Sequence, residues 1–294
     1  MTNNRIYIAI ATMLFAVFLM VVLDVVAKVL LVTYSVMQVT FLRAAFALVI
    51  VGVANYLANG KDSFRTEVKN WHLLRTILMS ISTVTFFAAL GMIPLVNVMV
   101  IVFIAPILIT ALSGPLLGEQ VGPFRWFAVG IGFIGMLIIL KPSKGFIDYG
   151  TIYAIIGVVC YALIALTSRK LSNKDSAYNL TFYMFFGPTI VGGLGSLNTW
   201  ITPTPWDWGL FVITGIVGGA SIIFFNLAYQ KAEASVLTSF EYTGLIWAAL
   251  AGYLIFNESV DSSVWVGAMV IIFGGLIIVY RERNDTKSIK NYIP

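Results

Sequence analysis

Residues 228–280, AYQKAEASVLTSFEYTGLIWAALAGYLIFNESVDSSVWVGAMVIIFGGLIIVY, decide how this chain is read. They hold two apolar runs joined at FNESVD, each long enough to cross about 30 Å of hydrocarbon at about 20 residues per helix. The acid Glu241 lies inside the first run. The stretch also echoes residues 89–141. Aligned without a gap, Glu119 falls on Glu258, Val121 on Val260 and Trp126 on Trp265. Gly135 falls on Gly274, and Leu137, Ile138 and Ile139 fall on Leu276, Ile277 and Ile278. Shared landmarks with no indel point to an old duplication, and the chain is therefore read as two related halves.

Composition sets the class. The 294 residues are 60% hydrophobic and only 11% charged, with a mean hydropathy of +0.94. A soluble domain carries about 25% charged residues. This is the profile of an integral membrane protein, with the lipid bilayer as its surroundings. The net charge of +5 does not point to nucleic acid, because Lys and Arg lie in short links and at the C-terminus and build no basic face. The first apolar run, from residue 6 to about 32, is too long for the core of a signal peptide and is expected to remain as the first helix.

Ten runs reach membrane length: 6–32, 35–58, 71–91, 95–116, 122–140, 149–169, 177–199, 207–228, 235–256 and 263–281. The expected fold is thus an all-α integral membrane protein of ten transmembrane helices. Of the 18 Lys and Arg residues, Lys28 and Arg43 lie well inside runs, away from their inner ends. With the N-terminus inside, Lys141 and Lys144 alone fall on outer links and all the others fall on inner links, flanks or the tail. Both termini are expected in the cytoplasm, in a bacterial inner membrane. Five helices per half is an odd number, so the two repeats, 1–145 and 146–281, enter the membrane from opposite sides. They form an inverted pair, suited to alternating access, followed by a polar cytoplasmic tail at 282–294.

Reactive chemistry is not encoded. Cys160 is the only cysteine and His72 the only histidine, which excludes an internal disulfide and a histidine-based metal cluster. There is no Gly-x-Ser-x-Gly or phosphate loop, and no catalytic residue, metal or cofactor is expected. The match to Gly-x-Gly-x-x-Gly at 130–135 lies inside the fifth run, where small residues serve helix packing and no strand precedes it.

Polar groups within the runs are the candidate site, since a charge at the bilayer centre costs about 2.5–3.5 kcal/mol on insertion scales. Asp24 and Lys28 share a face of helix 1, either as an internal ion pair or with Asp24 turned to a pathway. Arg43 lies roughly 12 Å into helix 2 at 1.5 Å per residue, too deep to snorkel easily. It could answer Asp24, lock two helices together or meet an anionic group of a substrate. Arg75, one turn into helix 3, reads as an inner-surface anchor. Glu241 lies roughly 9 Å into helix 9 beside Tyr242, where it could exchange a proton, pair with a cationic substrate, or bond to Arg43 or Asn97. Asn97 and Asn226 either line a cavity or join helices by hydrogen bonds. Trp247, near the middle of helix 9, either stacks on a planar ligand or packs on another helix. The substrate-site candidates are therefore Asp24, Asn97, Asn226, Glu241, Tyr242 and Trp247, with Lys28 and Arg43 as charge partners.

Two pairs of segments carry a resemblance. AALGMIPLVNVMVIVFIAPILITALSGPLLGEQ (88–120) with GFIGMLIILKP (132–142), and AYQKAEASVLTSFEYTGLIWAALAGYLIFNE (228–258) with GAMVIIFGG (267–275), resemble the EamA-type carriers of the drug/metabolite transporter superfamily. The likeness covers essentially the whole chain. It implies an inverted-repeat carrier whose central cavity is lined mainly by helices 1, 3, 4, 6, 8 and 9. Asp24-Val25-Val26-Ala27-Lys28, Arg43, Arg75-Thr76 and 132–142 look most like the bacterial S-adenosylmethionine uptake carriers, and riboflavin and amino-acid carriers share parts of the pattern. The expected function is secondary transport of a small polar organic metabolite, such as an amino acid, an amine, a nucleoside-like compound or S-adenosylmethionine. A proton or counter-substrate could accompany it. The alternative is a membrane sensor or scaffold that binds a ligand without moving it.

Overall fold

A computed structural model describes residues 3–93, 98, 101–102, 104–140, 149–256, 266–267, 269–270 and 273–274. The described regular structure is helical throughout. Helix α1 spans Asn3–Leu31, α2 Val36–Asn59, α3 Lys69–Met92, α4 Ala105–Leu117, α5 Pro123–Leu140 and α6 Tyr149–Lys170. Then come α7 (Ala177–Met184), α8 (Phe186–Ser196), α9 (Pro205–Lys231), α10 (Ala234–Glu241) and α11 (Gly244–Phe256). Five of these, α1, α2, α3, α6 and α9, are long and apolar enough to cross a membrane. The tenth run and the tail lie outside the described residues apart from short helical pieces.

Helix ends follow local chemistry. The Ser35 side chain accepts from the Gln38 N–H at the start of α2, and Ser176 accepts from the Asn179 N–H at the start of α7. At α9 the cap is Thr204, followed directly by Pro205, whose missing N–H costs nothing in the first turn. Gly118 ends α4 in the left-handed region, φ 71°, a conformation that disfavours side chains.

Two of the expected spans are broken. The run 177–199 divides at Phe185 into α7 and α8. Pro188 has no N–H to offer the carbonyl of Met184, so the Thr76 hydroxyl of α3 donates to that carbonyl (3.2 Å) and accepts from the Gly187 N–H (2.7 Å). The run 235–256 divides at Tyr242 and Thr243 into α10 and α11, with a tight Thr243 N–H to Phe240 carbonyl bond of 3.1 Å at the break. Glu241 is the last residue of α10. Irregular backbone at membrane depth is tolerated where protein or a cavity, and not lipid, surrounds it.

The helices pack as α1 on α9, α3 on α6, and α2 on α8 and α9. Gly192 and Gly215 let α8 and α9 approach the α2 backbone near Phe41 and Phe46, leaving no room for a Cβ. The largest apolar cluster joins α1, α3, α4, α6, α9, α10 and α11. Polar ties close both ends of the bundle. At one end the Tyr34 hydroxyl donates to Asp207 (2.7 Å), and Gln38 exchanges two bonds with the Ile201 backbone. At the other, His72 pairs with Asp175 at 2.9 Å and Asn55 bonds Asn179 at 2.7 Å. Asp175 lies in the α6–α7 link. Burial pushes its carboxyl up, but hydrogen bonds from His72, Thr66, Asn179 and the Ser176 N–H outweigh burial and hold it below the usual carboxylate range.

Candidate functional site

Between the two ends lies a cavity of about 170 Å³. Its walls come from α1, α3, α4, α6, α9 and the α10–α11 break, with Arg43 from α2 and Met184 from α7. The lining is mostly apolar and aromatic, the usual character of a small-molecule site, with few polar groups to orient what enters. Its charged groups among the described residues are Asp24, Arg43 and Glu241. All three were charges that the sequence placed inside apolar runs.

Asp24 is on α1, partly accessible from the cavity, and attracts Arg43 electrostatically. Arg43 is 6% exposed, with its guanidinium 5.4 Å from the centre of the Phe87 ring and its Nε lacking a hydrogen-bond partner among the described residues. Gly218 of α9 makes room for this group, because a Cβ there would lie 3.3 Å from Nε. Lys28 is one turn along α1 from Asp24 and does not line the cavity.

Glu241 is 7% exposed and sits at the helix break. The Tyr229 hydroxyl donates to its Oε1 at 2.7 Å and the Tyr161 hydroxyl to its Oε2 at 3.1 Å. Two neutral phenols thus fix the carboxylate, and no cation pairs with it within 4 Å among the described residues. The sequence reading missed both tyrosines. Tyr161 carried a faint signal, a phenol in the apolar run VVCYALIAL.

The remaining candidates go elsewhere. Asn226 is fully buried on α9, where its carbonyl accepts from Arg75 (3.1 Å) and its amide donates to Thr181 (2.9 Å). It joins helices and does not line the cavity. Tyr242 is also fully buried; its ring lies against Gly132 of α5, where a Cβ would come within 2.5 Å of ring carbons. Trp247 is 38% exposed and meets Phe18 edge to face at 5.0 Å, outside the cavity lining. Asn97 lies outside the described residues.

Arg75 departs most from its reading as a surface anchor. It is wholly buried, one turn along α3 from the cavity residue Met79. Its Nη1 donates to the Ile164 carbonyl (3.1 Å), Thr167 (2.7 Å) and Ser168 (2.9 Å). Its Nη2 donates to Met184 sulfur (2.8 Å) and Asn226. One guanidinium therefore fastens α3 to α6, α7 and α9 between the cavity and the end that carries the α2–α3 link. Nearby, Glu119 accepts from Arg169 (3.1 Å) and from the Ala234 N–H (3.2 Å), which ties the α4–α5 link to α6 and caps α10.

The arrangement is that of a multi-pass membrane protein holding a largely apolar cavity with a few charged groups in its wall. The EamA-like transporter family profile matches residues 7–141 and again 148–280, and the chain belongs to that family. It is 27% identical over 251 residues to the S-adenosylmethionine uptake transporter of Rickettsia prowazekii (strain Madrid E), covering 85% of each chain. It is 29% identical over 250 residues to the riboflavin transporter of Vibrio cholerae (strain El Tor Inaba N16961), covering 84% of each. A solved crystal structure superposes with a TM-score of 0.78 at 16% identity, covering 97% of this chain and 99% of the other, a likeness of fold alone.

Proposed function

We propose that the protein is a secondary carrier that moves a small polar organic metabolite across a bacterial inner membrane by alternating access. The observation that carries this reading is the cavity. Helices from both halves wall it, and it holds Asp24, Arg43 and Glu241 beside two helix breaks. The family match falls twice along the chain, which supports two five-helix repeats at 1–145 and 146–281 with 282–294 as a tail. An inverted relation between them would leave both termini in the cytoplasm, as the distribution of Lys and Arg favours. The relatives named above are transporters and not enzymes, which supports a role in moving a compound unchanged.

In this mechanism Asp24, Arg43 and Glu241 hold the cargo while the seals on either side break in turn. At the end bearing the α2–α3 link, the seal comprises the Arg75 bonds, the Glu119–Arg169 pair and the His72–Asp175 pair. At the other end it comprises Tyr34–Asp207 and Gln38–Ile201. Tyr242, Trp247 and Asn226 act through packing and hydrogen bonding around this core, and Lys28 acts as a charge neighbour of Asp24.

Purified protein in liposomes, offered labelled amino acids, polyamines, nucleosides, riboflavin and S-adenosylmethionine, tests the reading. Saturable uptake of one class is the expected result. Binding without movement of any compound overturns the carrier reading in favour of a sensor or scaffold.

A further inference from the structure

The charges of the cavity do not balance. Its ionisable lining among the described residues comprises two carboxylates, Asp24 and Glu241, and one guanidinium, Arg43. Asp24 and Arg43 attract each other and offset one another within the wall. Glu241 has only the hydroxyls of Tyr161 and Tyr229, which stabilise a carboxylate by hydrogen bonds but bring no positive charge. With all three groups ionised, the described lining carries one net negative charge inside an apolar bundle. An isolated charge at that depth is costly, and a positive group brought in by cargo would relieve the cost.

The surrounding rings favour the same kind of occupant. Tyr161 and Phe225 line the cavity beside Glu241, 5.5 Å apart between ring centres, and Phe87 lines it beside Arg43. Aromatic faces attract organic cations through the ring quadrupole. Phe87 already lies under one cation, the Arg43 guanidinium. On the Glu241 side the rings have no such protein cation among the described residues.

We propose that the cavity selects cargo with one net positive charge, an amine, guanidine or sulfonium compound, and that Glu241 is the residue that reads this charge. Asp24 and Arg43 offset each other, or receive opposite charges of a zwitterionic part of the cargo, without altering the net count. Tyr161 and Tyr229 are positioning residues that aim the Glu241 carboxylate. This inference names the substrate class of the site proposed above and rests on the carrier reading only where movement of the cargo is measured.

The test compares cations with neutral partners of nearly the same shape: S-adenosylmethionine with S-adenosylhomocysteine, and arginine with citrulline. Binding is measured by calorimetry on purified protein, and uptake in liposomes. The expected result is that at least one cation binds about tenfold or more tighter than its neutral partner, a preference that Glu241→Gln abolishes and Asp24→Asn reduces less. Tyr229→Phe keeps the carboxylate and should retain the preference at lower affinity. If Glu241→Gln does not yield folded protein, Tyr161→Phe with Tyr229→Phe serves in its place and should shrink the preference without reversing it. Neutral partners binding as well as every cation, or a preference unchanged in Glu241→Gln, overturns the inference. Uptake without charge preference defeats the inference and leaves the carrier reading standing. Charge-selective binding without uptake does the reverse.

Discussion

Two arginines buried in consecutive helices have been given opposite surroundings. Arg75 makes five hydrogen bonds through its Nη atoms, to a carbonyl, two hydroxyls, a thioether and an amide. Arg43 forms no hydrogen bond among the described residues and has a phenyl face at 5.4 Å and an acid within electrostatic reach across a cavity wall, although the Nε of both arginines lacks a partner there. A buried polar group left without partners is expensive, so a protein keeps one where an exchangeable partner is meant to arrive. The contrast separates a charge that holds helices together from a charge that waits. Depth alone would have ranked the two alike.

The comparison can be broken most sharply at Arg75. Arg75→Met keeps the length of the side chain but removes every donor, and should cost at least about 3 kcal/mol of stability, since each charge-assisted bond contributes about 1.5–3 kcal/mol. Unfolding in detergent with increasing denaturant measures this. Stability equal to wild type would mean that Arg75 is no fastener. Arg43→Met should do the opposite, with flux in liposomes falling about tenfold or more while stability moves by no more than about 1 kcal/mol. A matching loss of stability would place Arg43 with the scaffold.

The smallest effect sharpens the contrast through pH. Asp175 is the acid whose field reaches Arg75, and its carboxyl is held below the usual range chiefly by its hydrogen bond from His72, against the opposing effect of burial. A carboxyl with a depressed folded-state pKa contributes stability that is complete above the unfolded value of about 3.9 and disappears as pH falls through the lower folded value. Asp175→Asn should therefore flatten the acid limb of the stability curve and leave the neutral region only slightly lowered. An unchanged acid limb would show that the His72–Asp175 tie contributes nothing.

Much of the fold was legible because apolar runs of membrane length have few alternatives. The helices α1, α2, α3, α5, α6 and α9 begin and end within a few residues of the runs read from the sequence. Asp24, Arg43 and Glu241 stood out because charge within such a run is conspicuous, and the fold gathers these three around one cavity. Arg75 was misread because distance from a helix end measures how far a side chain is from water along one axis. It is blind to α6, α7 and α9 wrapping around the residue. Asn226 joins helices through Arg75 and Thr181, and Trp247 packs on Phe18 of another helix, each one of the two alternatives its sequence position left open. Pro188 offered a signal for the break in the seventh run. The break after Glu241 has no proline, and only the tertiary partners of Glu241 and Tyr242 mark it.

The glycine at position 132 has a consequence for genetics. Among the described residues nothing lies within 4 Å of a Cβ at Gly130, whereas one at Gly132 would strike the ring of Tyr242, next in sequence to Glu241. In a saturation library, alanine or serine should be unremarkable at 130 and deleterious at 132, although neither position lines the cavity. Selection for conditional alleles would thus be expected to recover position 132, on a helix with no described residue in the cavity wall, with defects resembling those of the binding site itself.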